Sequence, residues 1–558
     1  MGAGYLEGAT PYPGEMIRQY VAKGWWLNLT YGDLLDRATR NSPERLAVID
    51  ERGSLTYGRL KEKVERFAIA LIEMGIKKHD RILIQLPTQL EFLIAYYASH
   101  KIGAVPVLAV SRQEHREVSR FFRVFQPVAW IVPAREGGRD FLPLIDKIRP
   151  EAEGLRYVIM PEAAKELPGD ALSMGRLIHD VKLDHYPEDF LAPFRPDPDD
   201  VAVIFPTGGT TGLPKGVPRT HNSFLANIRY TNTGTLPDEV TGLATPIGHT
   251  LAHQGPVGKA ILFAIPLVLI AIPKATPILQ AIERHKITHI VLVPTQLEDI
   301  LNDPASKRYN LTSLRKVQTA GAALRPETAQ SALEFFGSIG AQFLGSEFGS
   351  TEGPCAKHVQ GESPEVFRTS IGKPMCAGDE WKVIDDEERE LPPNTEGELC
   401  ARGPCIFTGY YQSDAENRAI FTRDGYYKMG DLGKIDEQGH LFVTGRKKDI
   451  IQRGGEGIIP SEIESLLQRH PSVEKAAVVG MPDARLGERA CAYVVLKPGK
   501  SLGFDEMTQF LKGLGAGWLL LPERLEVVSK LPVTLVGKVD KKVLRQEISA
   551  KLKKEGQG

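Results

Sequence analysis

Little in this chain marks a secreted, nucleic-acid-binding or membrane-spanning protein. Cysteine is scarce: Cys355, Cys376, Cys400, Cys405 and Cys491 are all there are in 558 residues, an odd number with no C-x-x-C pair. A disulfide framework is thereby excluded, and the simplest setting is a reduced cytoplasm with most of these thiols acting as small apolar groups. Net charge is also missing, since 69 Lys and Arg stand against 70 Asp and Glu, a balance of -1. No global field draws the chain to nucleic acid or to an anionic membrane. The first residues lack a basic region followed by an apolar run, so no signal peptide is read, and Leu6 stands where myristoylation after Gly2 wants Ser or Thr. The most apolar stretch, 260–272, is interrupted by Pro266 and falls well short of a membrane span. It predicts a short helix followed by a buried strand over 267–272.

Present instead is an ordinary globular composition, 42% hydrophobic and 25% charged. A chain of this length outgrows one core and divides into two to four domains or subdomains. The phrase Leu-Thr-Tyr-Gly occurs at 29–32 and again at 55–58, read as two helix starts capped by Thr30 and Thr56. After the second, Leu60, Val64, Phe67, Ala68, Leu71 and Ile72 recur at helical spacing up to Gly75, a C-cap residue. Strands are predicted over 81–86, 104–110, 128–132 and 201–205, with a helix over 88–102 between the first two. The alternation predicts an α/β fold with mainly parallel sheets.

The stretch PTGGTTGLPKG, 206–216, concentrates Thr207, Gly208, Gly209, Thr210, Thr211 and Gly212 ahead of Lys215. The stretch reads as a loop in which backbone N–H groups, hydroxyls and one ammonium can surround a phosphate without side-chain clashes. The order G-x-x-x-x-G-K-[ST] is absent, because Pro214 precedes Lys215 and Gly216 follows it. Pro214 also stops a helix from starting on the lysine, as a P-loop requires.

Further phrases add to this one. His249 and His253 are four apart, but Thr250 replaces the glutamate of H-E-x-x-H and no third ligand is evident, so they read as pocket or core histidines. GSEFGSTEG, 345–353, offers Phe348 for stacking, hydroxyls at Ser350 and Thr351, and Glu352 as the carboxylate for a Mg²⁺-nucleotide. Asp431 is expected in a glycine-bounded turn after a strand, either as a turn residue or as a bidentate acceptor for ribose hydroxyls. The charge run from Arg446 to Asp449 looks like an exposed hinge or a solvated turn, and the domain boundary is placed there. This gives an N-terminal domain over 1–445 and a smaller α/β domain over 446–558 carrying Lys538 on a loop.

Together the phrases, all in order and covering nearly the whole chain, resemble the acyl-adenylate-forming superfamily. Within it the TPYPGEM, PRTH and RGGE stretches are similar to stand-alone aryl-acid AMP ligases of the 2,3-dihydroxybenzoate type used in siderophore assembly. CoA ligases for cyclic carboxylic acids are close competitors. The resemblance implies a large adenylation domain with a small mobile C-terminal domain, and activation of an aryl or cyclic carboxylic acid by ATP and Mg²⁺. Acyl transfer to the thiol of CoA or of phosphopantetheine on a carrier protein supplied in trans would follow. It implies that Thr207, Gly208, Gly209, Thr210, Thr211 and Lys215 hold the β- and γ-phosphates. Gly321, Ala322, Ala323 and Phe348 would flank adenine, Thr351 contact the α-phosphate and Glu352 hold Mg²⁺. Asp431 and Arg446 would take the ribose. His249, Thr250, Ala320 and Gly345 would line the acyl pocket. Lys448 would be the hinge, Gly454 and Gly455 the thiol tunnel, and Lys538 the adenylation lysine. One departure bears on substrate: Thr250 stands where the dihydroxybenzoate enzymes carry an Asn that bonds a ring hydroxyl. A catalytically silent nucleotide- or acyl-binding sensor of the same fold is the alternative, which loss of Lys538, Glu352 or Asp431 would have favoured.

Overall fold

A computed structural model describes residues 4–556 apart from 163–166, 168, 209–212, 322–323, 325, 359–361, 455 and 535–537. The chain divides into two compact units. The first is Met1–Glu362 with Pro374–Glu380 and Arg402–Phe421, and the second is Ser363–Lys373 with Trp381–Ala401 and Thr422–Gly558. Strand Tyr427–Ile435, which carries Asp431, therefore belongs with the second unit.

The first unit is built on two large sheets. One runs in the order Lys215–Thr220, Val201–Thr207, Val105–Leu108, Arg81–Ile84, Ala129–Ile131, Tyr157–Met160 and Leu172–Ser173. It is parallel except for the hairpin between Val201–Thr207 and Lys215–Thr220. The other places Lys316–Ala320 between His289–Leu292 and Gln342–Gly349, all parallel, and continues through Thr241–Leu243 and Leu267–Leu269 to Leu46–Asp50. Strands so covered on both faces are continuous apolar runs, as Val201 to Phe205 is, and a parallel arrangement needs the helical crossovers that the sequence alternation predicts.

The helix starts form as the sequence indicates. Thr30 accepts from Asp33 N–H at 3.2 Å while Asp33 accepts from Thr30 N–H at 2.8 Å, a reciprocal capping box. Thr56 caps helix Tyr57–Glu73 by accepting from Arg59 N–H, and the chain leaves the helix through Gly75 at φ +78°. That helix buries Leu60, Val64, Phe67, Ala68 and Leu71. Each of the large side chains contributes about 1.5–3 kcal/mol, so Phe67→Ala would cost about 3–5 kcal/mol. The apolar stretch resolves into helix Gly258–Phe263, ended by Ala264 in the left-handed region at φ +52°, and strand Leu267–Leu269. No helix among the described residues is long and apolar enough to cross a membrane.

In the second unit, Gly397–Arg402, Tyr427–Ile435 and Leu441–Arg446 pair antiparallel in one sheet. A further sheet centres on the antiparallel pair Val473–Asp483 and Gly487–Leu496. Its strands alternate strictly. Val478, Ala490, Ala492 and Val494 pack with Ile463, Leu467, Met507 and Leu511 from helices Pro460–Gln468 and Phe504–Gly513. Ala477, Val479, Cys491 and Tyr493 pack with Leu544, Ile548 and Leu552 of helix Lys541–Lys554. A period of two thus sandwiches one sheet between helices.

Two local expectations differ. Lys215 opens a strand rather than a loop, because Gly216 pairs against Pro206 where a Cβ would stand 2.5 Å from the Phe125 ring. Asp431 lies inside a strand rather than in a turn, since Leu432 and Gly433 continue the ladder on both sides.

Candidate active site

The hairpin brings the ends of the glycine-rich segment together. Thr207 is register partner to Lys215 and donates from Oγ1 to the Lys215 carbonyl at 3.4 Å. The loop they close carries Gly208, which is exposed with open space around it; Gly209, Thr210 and Thr211 lie outside the described residues. Lys215 Nζ pairs with the carboxylate of Glu416 and lies 4.7 Å over the ring of Tyr410. The Tyr410 hydroxyl in turn donates to Glu352 Oε1 at 2.8 Å.

Glu352 and Thr351 sit on the turn Ser350–Gly353, which is held by buried polar groups. Arg219, with no exposed surface, donates to Thr351 O at 2.9 Å, Cys405 O at 2.7 Å and Ser223 O at 3.2 Å. Asn227 donates to Gly353 O at 3.0 Å, and Phe407 N–H to Glu352 O at 2.7 Å. Gly353 is required by close approach, because a Cβ there would lie 1.9 Å from Cys405 O. Four carbonyl anchors on four consecutive residues would fix this turn, and Gln254 supplies the one on Ser350 at 3.4 Å.

Thr250 joins the same turn from another segment, donating from Oγ1 to Thr351 Oγ1 at 3.2 Å. It follows His249, whose Nδ1 accepts from Leu251 N–H at 3.2 Å. His253 is buried, its Nε2 bonded to Ile247 O at 2.8 Å, and burial pushes its pKa down to about 3. It sits in the core as a neutral histidine. Ala320 and Gly345 lie on adjacent parallel strands, where a register shift accompanies Gly345 at φ +77° and Thr319 Oγ1 donates to Gly345 O at 3.1 Å. A Cβ on Gly321 would meet Leu251 at 3.7 Å and Val293 at 3.8 Å, so this turn faces the Thr250 segment. Phe348 ends the strand Gln342–Gly349; Ala322 and Ala323 lie outside the described residues.

In the second unit Asp431 is register partner to Arg446, and the two form an ion pair at 2.6 Å with Asp431 buried and Arg446 exposed. Lys448 is exposed in the turn Lys447–Asp449, whose Asp449 pairs with Arg545 of the last helix at 2.5 Å. Gly454, at φ +62°, donates to Leu486 O at 2.7 Å, and Gly455 lies outside the described residues. Lys538 is tied to Thr534: its N–H donates to Thr534 Oγ1 at 3.2 Å and its carbonyl accepts from Thr534 N–H at 2.7 Å.

Thr207, Lys215, Thr250, Thr351 and Glu352 are thus brought into one connected set of contacts in the first unit. Sequence reasoning missed Tyr410, Glu416 and Arg219. Arg219 lies within the Pro-Arg-Thr-His phrase, and a charged residue in a run of apolar β positions was the available signal. Nothing local marked Tyr410, which is 58 residues from its partner Glu352.

A hairpin that closes a glycine-rich segment beside a carboxylate-bearing turn, on two mainly parallel sheets with a second α/β unit, fits an AMP-forming ligase architecture. The comparisons with known proteins agree with it. Residues 35–411 match the AMP-binding enzyme family and residues 462–538 the AMP-binding enzyme C-terminal domain. The chain belongs to the AMP-binding enzyme family. It is 33% identical over 553 residues to 2,3-dihydroxybenzoate-AMP ligase of Bacillus subtilis (98% of this chain, 99% of the relative). It is 36% identical over 552 residues to enterobactin synthase component E of Escherichia coli (97% and 98%). Among solved structures, apo MbtA of Mycobacterium smegmatis matches with a TM-score of 0.71 and 31% identity over 97% of this chain and 99% of that one. Membership implies use of ATP and Mg²⁺. The Glu352 carboxylate fits that ion, being a hard oxygen donor oriented by the Tyr410 hydroxyl and belonging to a turn with further hydroxyls.

Proposed function

We propose that this protein activates an aryl carboxylic acid with ATP, forming the acyl-adenylate and releasing pyrophosphate, and then passes the acyl group to a thiol of CoA or of carrier-protein phosphopantetheine. The observation that carries the reading is the contact chain from Lys215 through Tyr410 to Glu352 and from Thr351 to Thr250, which joins a phosphate-binding ammonium, a metal-type carboxylate and an acyl-side hydroxyl.

The chemistry needs such groups because a carboxylate must approach the α-phosphorus of a polyanion. One like-charge pair at about 4 Å repels by about 1 kcal/mol in water and about 4 kcal/mol at an effective dielectric of roughly 20. Lys538 bridges the two anions and turns the repulsion into attraction, and Lys215 stabilises the departing pyrophosphate. Glu352 would hold Mg²⁺, which would supply charge neutralisation to the phosphates. The hydroxyl of Thr351 orients the α-phosphate, and Asp431 with Arg446 takes the ribose hydroxyls. No general base is called for, since the attacking carboxylate is already ionised. The small C-terminal domain alternates about Lys448, bringing Lys538 for adenylation and the Gly454–Gly455 segment for thiol transfer.

Thr250 reaches less far than an amide, which favours benzoate-like or monohydroxylated acids over catechol acids. ATP–pyrophosphate exchange across a panel of aryl, heteroaryl, alicyclic and straight-chain acids, repeated with CoA, tests the reading. Exchange driven by an aryl acid supports it, and ATP binding with no exchange for any acid refutes it.

A further inference from the structure

Within the first unit, the segments Pro374–Glu380 and Arg402–Phe421 meet at a point that the ATP chemistry does not use. Sγ of Cys376, a carboxylate oxygen of Asp379 and Sγ of Cys405 all lie within 4.8 Å of one another there. Both thiols are buried, at 2% and 1% exposure, and Asp379 is of intermediate exposure. The approach is built into the chain. A Cβ on Gly403 would stand 2.3 Å from Asp379 Oδ1, and one on Gly378 would stand 2.9 Å from Pro404 Cγ, so glycine at both positions lets the two segments close. Cys405 N–H donates to Asp379 Oδ1 at 3.1 Å and fixes the carboxylate, and Trp26 Nε1 ties Pro404 O at 2.9 Å.

We propose that Cys376, Asp379 and Cys405 form a structural site for one zinc-class divalent cation, with water in the fourth position. A tetrahedral zinc with bonds of about 2.3 Å to sulfur and about 2.1 Å to oxygen sets its donors about 3.5–3.8 Å apart. The three atoms here, all within 4.8 Å of one another, therefore need to close by about 1.0–1.3 Å at most. Two sulfurs select a borderline or soft cation over Mg²⁺ or Ca²⁺. Binding breaks two S–H bonds, releases both protons to solvent and leaves two thiolates on the metal. Charge then balances: two thiolates and a carboxylate face a divalent cation and the fully buried Arg219 guanidinium, which donates to Cys405 O at 2.7 Å. A Cys376–Cys405 disulfide is the competing use of the sulfurs, but it requires an oxidant to reach buried thiols. The cation clips together two segments, and the second leads from Cys405 to Phe407, whose N–H holds Glu352 O at 2.7 Å.

The test uses the intact chain, purified with thiols reduced, stripped of metal and titrated with Zn²⁺ and with Co²⁺ as a spectroscopic probe. About one equivalent of zinc per chain retained against a weak chelator is expected, with sulfur-to-cobalt charge-transfer absorption and a raised melting temperature. Cys376→Ser or Asp379→Asn should weaken cobalt binding at least about tenfold, while Cys400→Ser should not. No cobalt band from the wild-type chain overturns the proposal. So does zinc retention that Cys376→Ser and Cys405→Ser leave unchanged, or an isolated protein with this pair already oxidised. The wild-type titration decides even if a variant fails to fold.

Discussion

Replacing Arg219 by Met tests whether the turn under Thr351 and Glu352 is held from beneath. The guanidinium is buried without exposure and donates to the carbonyls of Thr351, Cys405 and Ser223 at 2.9, 2.7 and 3.2 Å. Burial lowers its pKa, which shows how little water compensates the charge. Methionine fills much of the same volume, so the cost comes from carbonyls left without donors, about 1–3 kcal/mol for each that finds no substitute. Partial relaxation of the turn sets the net loss at about 3–5 kcal/mol, the range for breaking a buried charged network. Urea denaturation reads that loss. Because Thr351 and Glu352 move with their carbonyls, a shift of about 1 Å should also cost about a hundredfold in ATP–pyrophosphate exchange. Arg219→Lys keeps the charge but cannot fork to three acceptors, and should fall between the two. A Met variant within about 1 kcal/mol of wild type, with exchange unchanged, would refute the argument.

Other consequences are read from the same site. Lys538→Ala should lower exchange by about a hundredfold to a thousandfold while equilibrium dialysis finds ATP binding retained; loss of both together would contradict the bridging role. Glu416→Gln removes the carboxylate that holds Lys215 in the unliganded chain, and because that pair is partly solvent-screened the KM for ATP should fall only about twofold to fivefold. Thr250→Asn should raise the preference for ortho-hydroxylated over unsubstituted benzoate about tenfold, the worth of one hydrogen bond, in competition assays. Burial holds His253 and His221 at pKa values of about 3 against an ordinary 6.5, so the unfolded chain binds more protons between those values and stability must fall on acidification. Each forfeits about 2 kcal/mol between pH 6.5 and about 5; denaturant midpoints flat over that window would show the two rings charged in the folded state.

Much of the fold was legible because local chemistry and tertiary structure agree. Thr30 and Thr56 cap the helices that their phrases announce, and the strands over 81–86 and 201–205 form where apolar runs meet glycine or proline. The hairpin strand Lys215–Thr220 was not legible: Lys-Gly-Val-Pro-Arg-Thr has little strand character, and its pairing is fixed by the Phe125 and Tyr411 side chains that crowd Gly216. For the site, glycine and hydroxyl clusters pointed to Thr207, Thr351 and Glu352, since few other chemistries need those residues in that order. What holds them was hidden. Arg219, Tyr410 and Glu416 act across long stretches of sequence, and no periodicity or turn preference encodes a contact between residues 132 or 58 apart.

The central claim, that a carboxylate oxygen of an aryl acid attacks the α-phosphorus of ATP, is tested most directly by following a heavy-oxygen label. The acid labelled in its carboxylate is incubated with the protein, ATP, Mg²⁺ and CoA, or with carrier phosphopantetheine, and the released AMP is weighed by mass spectrometry. Adenylation followed by acyl transfer leaves one labelled oxygen in AMP. Unlabelled AMP, or label appearing in inorganic phosphate with ADP as the other product, would contradict the account.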